Sequence, residues 1–150
     1  MNEIKVFLVE DEMVIRRGIK NSIDWEKEGY IFCGEASDGE LAYPMIIKEK
    51  PDILITDIRM PRMDGLELLS TLRKENSQVH CILLTAYGEF EYAKQAFSLG
   101  VENYLLKPMQ TQELMQSVEN ALENLYANRK NRSDLFRENI LRRWLLGSIS

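Results

Sequence analysis

The amino-acid sequence predicts an α/β fold: a five-stranded parallel sheet with helices on both faces, followed by a C-terminal helical extension. Three observations point to it. Short apolar runs lacking strict alternation, such as Ile53-Leu54-Ile55, fit strands buried on both faces. Stretches with apolar residues at three- and four-residue steps separate these runs, so strand and helix alternate five times. Parallel neighbours need crossovers, and a helix in each crossover is what that alternation supplies. Third, the runs end on polar residues: Glu10-Asp11, Asp57, Thr85-Ala86 and Lys107-Pro108. In open α/β sheets ligands bind beyond the carboxyl ends of the strands.

The elements follow in order. Ile4 to Val9 is the first strand, and from Met13 the apolar residues Val14, Ile15, Ile19 and Ile23 predict a helix with Arg16, Arg17 and Lys20 outward. Gly29-Tyr30 breaks it, and Ile31 to Ala36 is the second strand. Ser37-Asp38-Gly39 leads into a helix with Leu41, Ala42, Met45 and Ile46 as its buried stripe; Pro44 removes a backbone donor and predicts a kink. The third strand, Ile53 onward, ends on Asp57, and Pro61, Asp64 and Gly65 punctuate the turn after it. Leu66, Leu68, Leu69 and Leu72 mark the third helix. Val79 to Leu84 is the fourth strand, and a helix from about Phe90 runs until Gly100 stops it. Val101 to Leu106 is the fifth strand, and Thr111 is an N-cap candidate for a helix through Leu114, Val118, Ala121, Leu122 and Leu125.

The domain therefore spans 1–125. Residues 126–132 form a polar, basic linker, and Ser133 caps an amphipathic helix over 133–147 with Phe136, Ile140, Leu141, Trp144 and Leu145 on one stripe. Exposed, that stripe would be unfavourable. It leads toward a following domain that this chain lacks, or serves self-association; packing on its own domain is the alternative.

Composition narrows the function. A hydrophobic fraction of 45% and a charged fraction of 29% suit a globular domain, and a net charge of -5 argues against a general nucleic-acid binder. Cys33 and Cys81 lie in strand-like runs without a C-x-x-C pair, so they read as reduced core residues of a cytosolic protein. His80, the single histidine, sits in such a run and reads as a packed or strand-edge residue. No signal peptide precedes the first strand, and no apolar run is long enough to span a membrane.

In the flavodoxin-like strand order 2-1-3-4-5, the first and third strands are neighbours, which gathers Glu10, Asp11 and Asp57 at one rim. Clustered carboxylates repel unless a cation settles among them, and oxygen ligands without His or Cys favour Mg²⁺. Thr85 and Lys107 add a hydroxyl and an ammonium at the same rim. Such a set suits a tetrahedral anion and phosphoryl transfer, with Asp57 as the nucleophile. Alternatively, Asp57 merely caps a turn or the next helix.

Glu10-Asp11, the run Asp57-Ile-Arg-Met-Pro-Arg-Met-Asp-Gly65, Thr85-Ala86 and Lys107-Pro108 together resemble the receiver domain of bacterial two-component response regulators, the CheY-like fold, over residues 3 to about 125. The resemblance implies that a sensor histidine kinase phosphorylates Asp57, with Mg²⁺ held by Asp11, Asp57 and the main-chain carbonyl of Arg59. Glu10, where aspartate is commoner, would hold the metal directly or through water. Thr85, Ala86 and Lys107 would meet the phosphoryl group, Tyr104 would turn inward, and the bond to Pro108 would be cis. Side chains around Arg59 and Glu89 would set phosphate lifetime. The fourth helix, fifth strand and last receiver helix would then form a homodimer face, with the C-terminal helix as the other candidate.

A second resemblance is finer. Arg16-Arg-Gly-Ile-Lys-Asn-Ser-Ile-Asp-Trp25 and Gly88-Glu-Phe-Glu-Tyr-Ala93 are similar to receivers joined to AraC-like helix-turn-helix domains, and Phe136 to Ile149 is similar to their connecting segment. This implies a cytoplasmic transcription regulator that meets DNA only through an absent C-terminal domain and touches no membrane. Two other readings differ in class. A phosphatase of the haloacid dehalogenase type needs a second aspartate two residues after the nucleophile, where this chain has Arg59. A pseudo-receiver would bind partners without accepting phosphate.

Overall fold

The computed structural model describes residues 3–129. Its five strands are β1 (Ile4–Val9), β2 (Tyr30–Ala36), β3 (Ile53–Asp57), β4 (His80–Thr85) and β5 (Val101–Leu106), all parallel in the order β2-β1-β3-β4-β5. Between them run α1 (Met13–Ser22), α2 (Gly39–Glu49), α3 (Gly65–Lys74), α4 (Phe90–Ala93) with a 3-10 segment Lys94–Leu99, and finally α5 (Thr111–Arg129).

The two-residue period of a strand divides the core between the faces. Val6, Leu8, Ile55, Ile82 and Leu84 pack with Ile19 of α1 and Leu114, Val118 and Ala121 of α5. Phe7, Val9, Leu54, Cys81 and Leu83 pack instead with Ala42 and Ile46 of α2, Leu69 and Leu72 of α3, and Ala93 and Ala96. Every residue of β3 and β4 is buried, which explains why their sequences do not alternate. Between β1 and β2 the register skips Cys33, bringing Gly34 opposite Phe7. A Cβ at Gly34 would lie 2.6 Å from the Phe7 ring, so only glycine admits that ring at its present position.

Several sequence expectations change in detail. Val14 is exposed, as are Leu41 and Met45, so the buried stripes of α1 and α2 rest on Ile19 and on Ala42 with Ile46. Helix α2 continues through Pro44 to Glu49, and the Asp38 carboxylate caps it by accepting from Leu41 N–H at 2.9 Å. The fourth helix keeps α geometry for four residues before tightening into the 3-10 segment, and Gly100, at φ 72°, stops it. Thr111 is the first residue of α5 rather than its cap. Gln110 precedes it, accepting from Leu114 N–H and donating its own N–H to the Glu113 carboxylate. Helix α5 runs through Arg129, past the expected boundary at 125. The remainder of the linker and the helix expected over 133–147 lie outside the described residues.

His80 opens β4, at the end of the sheet opposite Asp57, and is buried with its Nδ1 on the Glu102 carboxylate. Burial pushes the Cys81 thiol up to about 12, and the half-buried Cys33 up to about 11 for the same first reason. Both are poor nucleophiles at neutral pH.

Candidate functional site

The site is built where β1 and β3 end side by side. Val9 pairs with Thr56, so the next residues, Glu10 and Asp57, emerge together at the carboxyl edge. One oxygen from each of Glu10, Asp11 and Asp57 lies within 4.8 Å of the others. Glu10 and Asp57 are buried, while Asp11 is exposed. Glu10 is fixed from both ends: its N–H donates to Ala36 O at 3.0 Å, and its Oε2 accepts from Glu12 N–H at 3.1 Å. Asp57 Oδ1 accepts from Ile58 N–H at 3.0 Å.

Lys107 reaches into this cluster from the end of β5. Its Nζ donates to Asp57 Oδ2 at 3.0 Å and to Glu10 Oε1 at 3.1 Å. Its own N–H donates to Thr85 O at 2.7 Å, which ties the β5 end to β4, and the Lys107–Pro108 peptide is cis. One ammonium thus faces three carboxylates, leaving an excess of two negative charges when all are ionised. Burial and the neighbouring Asp57 charge raise the Glu10 carboxyl to about 8. Burial also lifts Asp57 above the ordinary carboxylate range, against the pull of Lys107. For Lys107, burial disfavours the ammonium, but the bonds and charges of Asp57 and Glu10 outweigh it and hold its pKa above the usual lysine value.

The donor set fits a hard divalent cation: oxygen ligands only, an excess of negative charge, and an exposed side at Asp11 that leaves room for water. His80 and both cysteines lie in other parts of the sheet, so softer metals have no ligands here.

The loop after β3 is held close behind Asp57. Gly65 N–H donates to Ile58 O at 2.7 Å, and a Cβ on Gly65 would stand 2.1 Å from Asp57 O. Asp64, not Asp57, caps α3: it accepts from Glu67 N–H at 2.8 Å, while Glu67 returns a carboxylate oxygen to Asp64 N–H. That leaves the Asp57 carboxylate free of the capping duty the sequence allowed it.

Thr85 is buried, and its hydroxyl donates at a long 3.4 Å to Leu105 O. Tyr104 lies half-buried against Phe97, with ring centroids 5.5 Å apart; its hydroxyl is buried without a partner among the described residues. Arg59 is exposed, with Nε 3.6 Å from Glu89 Oε2 and its guanidinium 4.5 Å over the Tyr92 ring. Tyr92 donates its hydroxyl to Asp64, and Glu89 accepts from Ala86 N–H at 2.8 Å. Two elements of this network escape sequence reasoning. No periodicity signals the Tyr92–Asp64 bond, and only the turn glycine Gly88 hints that Glu89 folds back. Arg16, which the pattern of α1 turns outward, instead donates to Glu10 O at 2.7 Å and to Glu35 at 3.0 Å.

Beside Lys107 a groove of about 610 Å³ separates α1 from the start of α5, lined by Ile15, Ile19, Ala86, Pro108, Met109 and Leu114 among others.

Comparison with known proteins matches this arrangement to others. Residues 6–119 match the response regulator receiver domain family. The chain is 42% identical over 121 residues to the transcriptional regulatory protein YesN of Bacillus subtilis, an alignment covering 81% of this chain and 33% of YesN. It is 38% identical over 110 residues to the transcriptional regulatory protein HptR of Staphylococcus aureus, covering 73% of this chain and 43% of HptR. The chain thus spans about a third to somewhat under half of these relatives. Among solved structures, the REC domain of the response regulator AraT from Geobacillus stearothermophilus aligns with TM-score 0.80 and 40% identity, over 86% of this chain and all of that one. A two-component transcriptional regulator AraC from Clostridium phytofermentans aligns with TM-score 0.74 and 27% identity, over 87% of this chain and all of that one. With its strand order, its acidic rim and its match over residues 6–119, the chain belongs to the response regulator receiver domain family.

Proposed function

We propose that this chain is the phosphoacceptor module of a transcription regulator, in which Asp57 takes a phosphoryl group from a sensor histidine kinase. The observation that carries the reading is the Lys107 ammonium, bonded at once to Asp57 and Glu10 with Asp11 alongside. In the transfer, an Asp57 carboxylate oxygen bonds to phosphorus, the nitrogen–phosphorus bond of the kinase phosphohistidine breaks, and the electron pair returns to the imidazole, which takes a proton. Lys107 holds Asp57 oriented and neutralises charge on the incoming group. Thr85 ends β4 and Ala86 follows it at the same edge, and they offer a hydroxyl and an N–H to the phosphoryl oxygens.

Glu10, Asp11, Asp57 and the Arg59 carbonyl would hold Mg²⁺, with Glu10 the most deeply buried of the side chains. When bound, the ion would draw negative charge away from both Asp57 and the donor phosphate. The groove beside Lys107 is apolar and borders the site, which supports it as the place where the kinase docks.

Phe90, Phe97 and Leu106 are exposed on the side formed by α4, β5 and α5, which supports that face for a homodimer; the helix over 133–147 is the other candidate surface. Relatives named as transcriptional regulatory proteins support a role in which DNA contact belongs to an output domain rather than to this module, and on that reading we place the protein in the cytoplasm. Among the described residues no helix is long and apolar enough to cross a membrane. Acetyl phosphate with Mg²⁺ is expected to add one phosphoryl mass to the intact protein, and Asp57→Asn to abolish the addition. Equal labelling of the variant would remove Asp57 from the role, and sustained hydrolysis of phosphate monoesters would favour a phosphatase.

A further inference from the structure

Glu89 holds a position that the proposed chemistry leaves unexplained. It lies at the end of a turn, Ala86-Tyr87-Gly88-Glu89, closed by Glu89 N–H donating to Ala86 O at 3.1 Å, with Gly88 at φ 90°. Its side chain then turns back, and Oε1 accepts from Ala86 N–H at 2.8 Å. The other oxygen faces Arg59 Nε at 3.6 Å. The Glu89 side chain is 15% exposed against 64% for Arg59, so the carboxylate is tucked under a solvent-facing cation.

Ala86 stands one residue beyond β4 and lines the same groove as Lys107. Its N–H is one of the donors assigned above to the phosphoryl oxygens, so the inference rests on that assignment. A single N–H cannot serve two anions at full strength, and here a carboxylate already holds it. We propose that Glu89 is an internal stand-in for the phosphoryl group: it occupies the Ala86 N–H before phosphorylation and yields that donor when Asp57 is modified. Arg59 provides its alternative partner, since the guanidinium already sits beside Oε2 and needs no large movement to take the whole carboxylate. Tyr92 steadies Arg59 by presenting its ring face to the guanidinium, and its hydroxyl bond to Asp64 joins that unit to the loop after Asp57. Glu89 therefore acts through Ala86 as a positioning residue that sets how readily the site accepts phosphate.

The test uses the full chain, phosphoramidate as donor, Mg²⁺, and phosphate-affinity electrophoresis to follow initial rates. Glu89→Ala frees the Ala86 N–H, and the rate is expected to rise roughly three- to tenfold, the scale of one intramolecular hydrogen bond. Glu89→Gln keeps an acceptor on the turn but removes the charge, so its rate should fall between wild type and Glu89→Ala. Glu91→Gln, at an exposed and screened position, reports the effect of charge alone and should stay within about twofold of wild type. In ¹⁵N spectra the Ala86 amide should shift in Glu89→Ala. Beryllofluoride with Mg²⁺ should bring the wild-type and variant Ala86 signals together.

A turn-stabilising role alone would leave the rates unchanged or lowered and the two Ala86 signals apart, and either result overturns the inference. If the alanine variant loses the fold, Glu89→Gln decides, with a rate above wild type in support and one at or below it against. A wild type that takes no phosphoryl group defeats the Asp57 reading and this inference together. A labelled wild type without acceleration in the variants defeats this inference alone.

Discussion

Glu10 and Asp57 are buried side by side on one shared ammonium, and their raised proton affinities follow first from that burial. Burial and the Asp57 charge lift Glu10 from 4.5 to about 8, and burial lifts Asp57 in the same direction. A carboxyl that binds its proton more tightly when folded makes the folded state take up protons that the unfolded chain releases. Below 4.5 both states are protonated and the group is neutral toward stability; between 4.5 and about 8 the folded state progressively loses ground. The metal-free protein is therefore expected to show a falling unfolding temperature as pH rises through that window. Glu10→Gln should flatten the slope, and saturating Mg²⁺ should reduce it, since a cation supplies the missing charge. Scanning calorimetry across pH checks this, and a slope of the opposite sign would contradict the electrostatics. The carboxylate cluster itself was legible in the sequence, because Glu10, Asp11 and Asp57 each end an apolar run. Its pairing with Lys107 at 3.0 and 3.1 Å was not, since side-chain reach leaves no periodic trace.

At the level of elements, the start of α3 packs directly against the end of β3. Gly65 admits no side chain, because a Cβ would fall 2.1 Å from Asp57 O. Gly65→Ala must therefore push the loop or the strand end aside, with an expected loss of about 1–3 kcal/mol, the range for overpacking. Urea denaturation measures it, and a loss well below that range would show that the loop yields freely.

Helix α4 shows where sequence reasoning blurs. Ala93 and Ala96 are buried and Leu99 is partly buried, a three-residue spacing that suits a 3-10 segment yet also occurs within α-helices. The pattern therefore placed the element and its stop at Gly100 without distinguishing its winding. Amides of Lys94–Leu99 are expected to exchange with solvent faster than those of α3, because 3-10 hydrogen bonds have poorer geometry. Slower exchange there would count against a looser winding.

For the whole molecule, strand order does most of the work. Asp57 and Lys107 lie 50 residues apart and Glu10 and Lys107 lie 97 apart, and the order β2-β1-β3-β4-β5 brings all three to one edge. That order was legible because five strand–helix alternations leave few right-handed arrangements. What faces solvent was less so: Val14, Leu41 and Met45 fit a helical stripe but stay exposed, since a stripe can be wider than the surface available to cover it. On the face of α4, β5 and α5, Phe97 and Leu106 are 59% and 53% exposed. Beryllofluoride with Mg²⁺ is expected to convert monomer to dimer in analytical ultracentrifugation, and Leu106→Glu to prevent it. A dimer independent of beryllofluoride would assign association to the segment beyond the described residues.

The central claim is that Asp57 carries the phosphoryl group. Treating the acetyl-phosphate-labelled protein with borohydride reduces an acyl phosphate to an alcohol, so peptide mass spectrometry should find homoserine at position 57 and nowhere else. Homoserine at Asp11, the longer hydroxynorvaline that reduction of a glutamyl phosphate would leave at Glu10, or an unchanged Asp57 in protein that carries label, would contradict the account.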